Sequence, residues 1–301
     1  MPQQVLLADL LLLRGHVLGC VADYERAAEL AEQLVRDAPH DCTALLARAR
    51  ARATFHRFPE ALADLDAAAR SGVERDTLDA ERAAIFQAVG CHADALALQR
   101  SAAERRPDLT TLGALAVLQA ERGKVAEAER LFTEARRRYQ GVSPFPVASL
   151  DFRRGLMWLA ENHLPTAGAW FDAARRRVPA YAPASGHLAG VDAASGAHEA
   201  AIGRLRPLAV SSDDPEYAAT LAGVLRDAGH PQEAQQWRIT AAARYDELTR
   251  RHPEAFADHA AHFWLTVGDD RPKGLQLALQ DRANRRATRA QAQLNRPTPA
   301  I

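Results

Sequence analysis

One small side chain returns along this chain at a nearly fixed step, and that step decides what the chain can fold into. Alanine stands at Ala27, Ala61, Ala95, Ala128, Ala167, Ala201 and Ala234, at steps of 34, 34, 33, 39, 34 and 33 residues. Twelve residues before each lies a second small residue: Gly15, Ala49, Ala83, Ala116, Gly155, Ala189 and Ala222. Seven residues after each comes a third position, held by Leu34, Ala68, Ala102, Ala135, Ala174, Leu208 and Ala241. Small residues at fixed places on two successive helices let their backbones approach closely. Between the helices, Gly90, Gly123, Asn162, Gly196 and Gly229 can stop one helix and take up a left-handed backbone. Pro39, Pro107 and Pro179 end the second helix of three repeats. Each repeat therefore reads as a helical hairpin of about 34 residues.

Composition agrees. Much of the 48% hydrophobic content is alanine and only 6% is aromatic, which favours closely packed helices over a sheet core. The formal net charge is zero, which argues against a general nucleic-acid binder. No apolar run reaches the roughly 18 residues that membrane insertion by a helix requires. The three cysteines, Cys20, Cys42 and Cys91, form no CxxC and are odd in number, so a reducing, cytoplasmic setting without a disulfide framework is expected.

The repeated triplet resembles the tetratricopeptide repeat (TPR) family over residues 8 to about 246. The resemblance implies an all-α fold, a TPR-type right-handed α-solenoid of about seven to eight helix hairpins. It also implies that the first helix of each hairpin, helix A, lines the concave face and helix B the convex one. The chain divides into a four-repeat N-terminal array (8–142), a Pro-rich insertion or hinge (143–147) and a three-repeat C-terminal array (148–254). A degenerate eighth repeat with a capping helix (255–294) and a tail (295–301) follow. Helix B of the seventh repeat is expected to run on to about Arg251, where Pro253 stops it. The stretch "RHPEAFADHAAHFW" is similar to the closing repeat of uncharacterised bacterial TPR proteins. The large aromatic the family places before the turn appears only as Phe86 and Trp158, while Arg52, Gln119 and Asp192 replace it in three repeats, where looser packing is expected.

The stretch "LLLRGHVLGC" has the outline of a lipoprotein cysteine box. Residues 1–10 carry no Lys or Arg, and Arg14 and His16 interrupt the apolar run, so it reads as the first helix A, with Leu11 and Leu18 on its packed face and Cys20 a plain helix residue. An arginine precedes the small position of helix A at Arg14, Arg48, Arg82 and Arg154. Asp64 matches Arg48 across its hairpin and predicts an ion pair; Asp79 and Asp151 sit three residues before Arg82 and Arg154 on the same helix face. The runs Arg136–Arg138 and Arg175–Arg177 complement the dipoles of helices they end.

Functionally, this points to a non-enzymatic scaffold or adaptor that binds a protein or peptide in its groove, with no cofactor and no metal. Repeat register assigns the lining to Leu12, His16, Leu46, Arg50, Ala84, Gln87, Val117, Phe152, Leu156, Leu159 and Arg226, mostly small and apolar. No GxSxG, HExxH, Walker or GxGxxG motif is present. One alternative is a peptide-responsive regulator that flexes near Pro144. Another is a metal-binding protein using His252, His259 and His262, the last two one helical turn apart. The basic segment with Arg282, Arg285, Arg286, Arg289 and Arg296 is a solubilising end or a strip for an acidic partner.

Overall fold

The computed structural model describes residues 2–294, so the tail expected over 295–301 lies outside the described residues. Sixteen α-helices make up the described chain, and no strand occurs among the described residues: an all-α helical-repeat solenoid. They run as α1 (Pro2–Leu18), α2 (Val21–Asp37), α3 (Cys42–Thr54), α4 (Phe58–Arg70), α5 (Arg75–Ala88), α6 (His92–Arg105), α7 (Leu109–Glu121) and α8 (Val125–Arg137). Then come α9 (Phe145–Ala160), α10 (Leu164–Arg177), α11 (Ala182–Ala194), α12 (His198–Ser211), α13 (Pro215–Asp227), α14 (Pro231–Arg251), α15 (Pro253–Leu265) and α16 (Arg271–Leu294). Odd-numbered helices are the A helices and even-numbered ones the B helices. As expected, α14 runs to Arg251. The second helix of the last repeat and the expected capping helix are one unbroken helix, α16, rather than two elements.

The helices gather into two compact units. The first comprises the described residues up to Leu13, Ala22–Ala95, and those from Tyr245 onward; the second comprises Arg14–Val21 and Leu96–Arg244. The cuts fall within α1, α2, α6 and α14, and residues 143–147 lie inside the second unit. The insertion lengthens the link before α9 and gives that helix 16 residues where α7 has 13.

The repeated small residues explain the hairpins. Every helix-A small position is buried, and so is every first helix-B alanine. Gly155 shows why size is fixed: a β-carbon there would lie 2.6 Å from the Phe171 ring of α10. Phe171 is fully buried among Ala148, Phe152, Ala167, Ala174, Tyr181, Leu188 and Val191, the core of the fifth and sixth repeats. A second core, in the first unit, joins Leu34, Leu45, Leu65, Leu78 and Ile85 from α2 to α5.

The turns follow one scheme. The residue in the left-handed region is Gly90, Gly123, Asn162, Gly196 or Gly229, as expected, and also His56 (φ 56°). The next amide donates to a carbonyl five residues back, as from Arg57 to Arg52, Lys124 to Gln119 and His163 to Trp158, so the last turn of each A helix is satisfied by its own turn. The first hairpin follows the same scheme, with the Cys20 amide donating to the Gly15 carbonyl at 2.9 Å. Gly19 (φ 64°) turns the chain and α2 starts at Val21, so Cys20 lies in the turn, not in a helix. Leu11 is buried as expected, but Leu18 is 40% exposed.

At three hairpins a polar bond takes the place of the missing aromatic. Arg52 donates to Asp64 at 2.8 Å, Gln119 to Glu127 at 2.7 Å and Arg204 to Asp192 at 2.7 Å. Arg48 also donates to Asp64, at 2.7 Å, as its register predicts, and Glu32 closes the set by accepting from both arginines. The other two arginines do not use the acid on their own helix. Arg82 reaches Asp66 on α4, and Arg154 pairs with Glu129 on α8 while stacking over Trp170. Asp151, 2% exposed, instead accepts from Arg177 at 2.7 Å with Arg136 at 3.6 Å. The arginine runs therefore do more than complement helix dipoles: one member of each faces the same buried acid, Arg177 from within its hairpin and Arg136 from the repeat before.

Candidate partner-binding face

In the second unit, α7, α9, α11 and α13 present the residues assigned to the lining. Phe152 is drawn into the core, with its ring 5.6 Å from Phe171 and 5.3 Å from Tyr181, so it does not face outward. Leu156 and Leu159 are half-buried and lie on the outside of that same core. Val117 is half-buried on α7, which packs directly on α9. On α11, a β-carbon at Gly190 would meet nothing within 4 Å, so the surface there is open. Arg226, in the last turn of α13, is exposed and bonded to Asp227 at 3.1 Å. The assigned residues left accessible, Val117, Leu156, Leu159 and Arg226, all lie in the C-terminal halves of their A helices.

The N-terminal ends of the same helices are occupied by the chain itself. His16 Nε2 lies 3.0 Å from the Tyr181 hydroxyl, and the imidazole meets Phe145 edge-on at 6.1 Å. Burial, with a smaller contribution from the charge of Arg153, holds His16 down to about 4. Burial likewise pushes the Tyr181 phenol up to about 12. A neutral imidazole and a protonated phenol can share one hydrogen bond without a buried charge. Next along, Gly19 O accepts from the Ser212 hydroxyl, and the Val21 amide donates to Asp213. The Tyr217 ring fits between Gly19 and Gly186; a β-carbon on either glycine would come within 2.7 Å of it.

In the first unit the assigned residues are largely engaged. Arg50 on α3 is bonded to Asp9 on α1 at 3.1 Å and to Glu81 on α5 at 2.6 Å, a bridge across three successive A helices. Leu46 packs on the first core, Leu12 and Gln87 are half-buried, and Ala84 is exposed. Sequence register had no means of finding Asp9 and Glu81 as the partners of Arg50, because each lies in a different repeat.

The late histidines do not converge. His252 Nε2 lies 2.8 Å from Glu25 and its ring stacks on Phe55 at 4.1 Å, whereas His259 and His262 are exposed. Among the described residues no group of three or more His, Cys, Asp or Glu could hold a metal ion, and no helix is long and apolar enough to cross a membrane.

No family model and no curated protein sequence matches the chain. Solved structures do. The human IFIT1 dimer with PPP-AAAA superposes with a TM-score of 0.58 at 15% identity, over 87% of this chain and 68% of that one. The APC/C hetero-tetramer Cut9–Hcn1 gives 0.57 at 13% identity, over 91% of this chain and 55% of its own, so the chain spans about half of that neighbour. PilW, a type IV pilus biogenesis factor, gives 0.53 at 16% identity, over 70% and 94%. At these identities the likeness shows the fold, a TPR-like helical repeat, and nothing of partners.

Proposed function

We propose that the chain is a non-enzymatic scaffold that takes a protein segment across the A-helix face of its second unit, over Val117, Leu156, Leu159 and Gly190. One observation carries the reading: the accessible residues there are apolar, and the surface is open at Gly190. An apolar trough with peripheral charge suits an amphipathic helix or extended peptide, whose apolar side chains fill it while backbone groups bond at the rim. The zero net charge of the chain gives a nucleic acid no general attraction.

Gly190→Arg tests this without touching the core, because the new side chain enters open space. Peptides selected by display against the full chain should lose at least about tenfold in affinity for Gly190→Arg (roughly 1.4 kcal/mol), with unchanged circular dichroism. Selected peptides that bind both proteins equally, or a single-stranded oligonucleotide that binds better than any peptide, would refute the proposal.

A further inference from the structure

The last helix carries a feature that the A-helix face does not use. Leu275, Leu279, Arg282, Arg286 and Arg289 follow one another at steps of four, three, four and three, so they form one stripe along α16. All five are exposed, Leu275 at 46% and Leu279 at 67%. The adjoining flank of the helix is packed: Gly274 is buried with its β-carbon position 2.7 Å from Leu265 of α15, and Leu277 and Ala278 are half-buried. The stripe is therefore open to solvent, with the Arg289 guanidinium at its far end 3.9 Å from the β-carbon position of Gly90, and it spans about 21 Å at 1.5 Å per residue. By sequence α16 holds six basic residues and one acidic, Asp281, in a chain whose net charge is zero. The positive charge is thus concentrated here and balanced elsewhere.

We infer that this stripe is a docking site for an acidic amphipathic helix of a partner protein. The partner would set two apolar side chains against Leu275 and Leu279, and carboxylates at matching three- and four-residue steps against Arg282, Arg286 and Arg289. Charge complementarity names the occupant. A guanidinium binds a carboxylate through two parallel hydrogen bonds, and three on one stripe fix the register of a partner helix. The leucines are what separate this from other anions. A nucleic acid has no use for two exposed leucines in line with the cations. A membrane-surface helix sets its apolar and basic residues on different faces, not on one stripe.

The test uses the full chain and a fluorescein-labelled 18-residue helical peptide with a Leu pair at i, i+4 followed by three Glu at steps of three and four. It should bind with a Kd in the micromolar range at low salt. Changing Arg282, Arg286 and Arg289 together to Glu should weaken binding at least tenfold, and a peptide with Lys in place of Glu should then bind that variant. Leu279→Ser should weaken binding several-fold, and a scrambled peptide of the same composition should bind poorly. All four positions are exposed, so circular dichroism should not change. Gly190→Arg should leave this binding intact, which separates the stripe from the A-helix face. Equal binding of the scrambled peptide, failure of the Lys peptide to rescue, or tighter binding of anionic vesicles or an oligonucleotide than of the acidic peptide would overturn the inference.

Discussion

Gly186 and Gly190 are one turn apart on α11 and offer a matched pair of perturbations. Replacing a helix glycine by alanine gains about 1 kcal/mol from backbone entropy alone. At Gly190 nothing opposes that gain, because the added methyl meets no atom within 4 Å. At Gly186 the methyl would stand 2.7 Å from Cε1 of Tyr217, which is 8% exposed and also bounded by Gly19 on its other side. The ring cannot step aside without disturbing that second contact. Overpacking of this kind costs about 1–3 kcal/mol. Gly190→Ala should therefore raise stability by up to about 1 kcal/mol, whereas Gly186→Ala should fall about 1–3 kcal/mol below it. Urea unfolding followed by far-ultraviolet circular dichroism, with the two slopes compared, measures the gap directly. Equal midpoints for the two variants would show that Tyr217 is not held in the glycine slot.

Two further outcomes follow from named contacts. Asp64→Ala leaves Arg48 and Arg52 with only Glu32 between them; because those guanidiniums are partly exposed, the loss should be about 2 kcal/mol, less than for a fully buried pair, and urea unfolding that shows under ~0.5 kcal/mol would contradict it. His16 is held at about 4 in the fold against 6.5 when unfolded, so the unfolded chain takes up a proton first. Stability should then be flat above pH ~6.5 and decline toward pH ~4 by up to about 3 kcal/mol. In His16→Gln, melting curves between those limits should lose that part of the slope; an unchanged slope would place the titration elsewhere.

How much of this was legible in the sequence depends on the range of the contact. The 34-residue step revealed the hairpins because it records packing between neighbours: Ala49 against Ala61, Gly155 against Phe171. The turns at Gly90, Gly123, Asn162, Gly196 and Gly229 were visible because few residues tolerate a left-handed backbone. His56 takes the same conformation and escaped notice, since only its register, five residues before Ala61, marks it. Arg48 with Asp64 was readable because both belong to one hairpin. The partners of Arg50 and Arg154 lie in other repeats, and a repeat pattern contains no signal for them. The lining was read from register as well. Register could not foresee that Phe152 turns inward or that His16 closes against Tyr181.

The contacts of residues 14–21 bear on how the chain is made. Repeat arrays ordinarily assemble from neighbour to neighbour, each hairpin completing the one before it. Here the Val21 amide waits for Asp213, 192 positions later, and Glu25 waits for His252, 227 positions later. At a synthesis rate of about 5–20 residues per second, the opening helices spend roughly 10–45 s on the ribosome before those partners exist. Non-local closure of this kind slows folding relative to a strictly local array. During that interval Leu6, Leu7, Leu10 and Leu13, exposed even in the finished fold, present a greasy surface that chaperones are suited to shield.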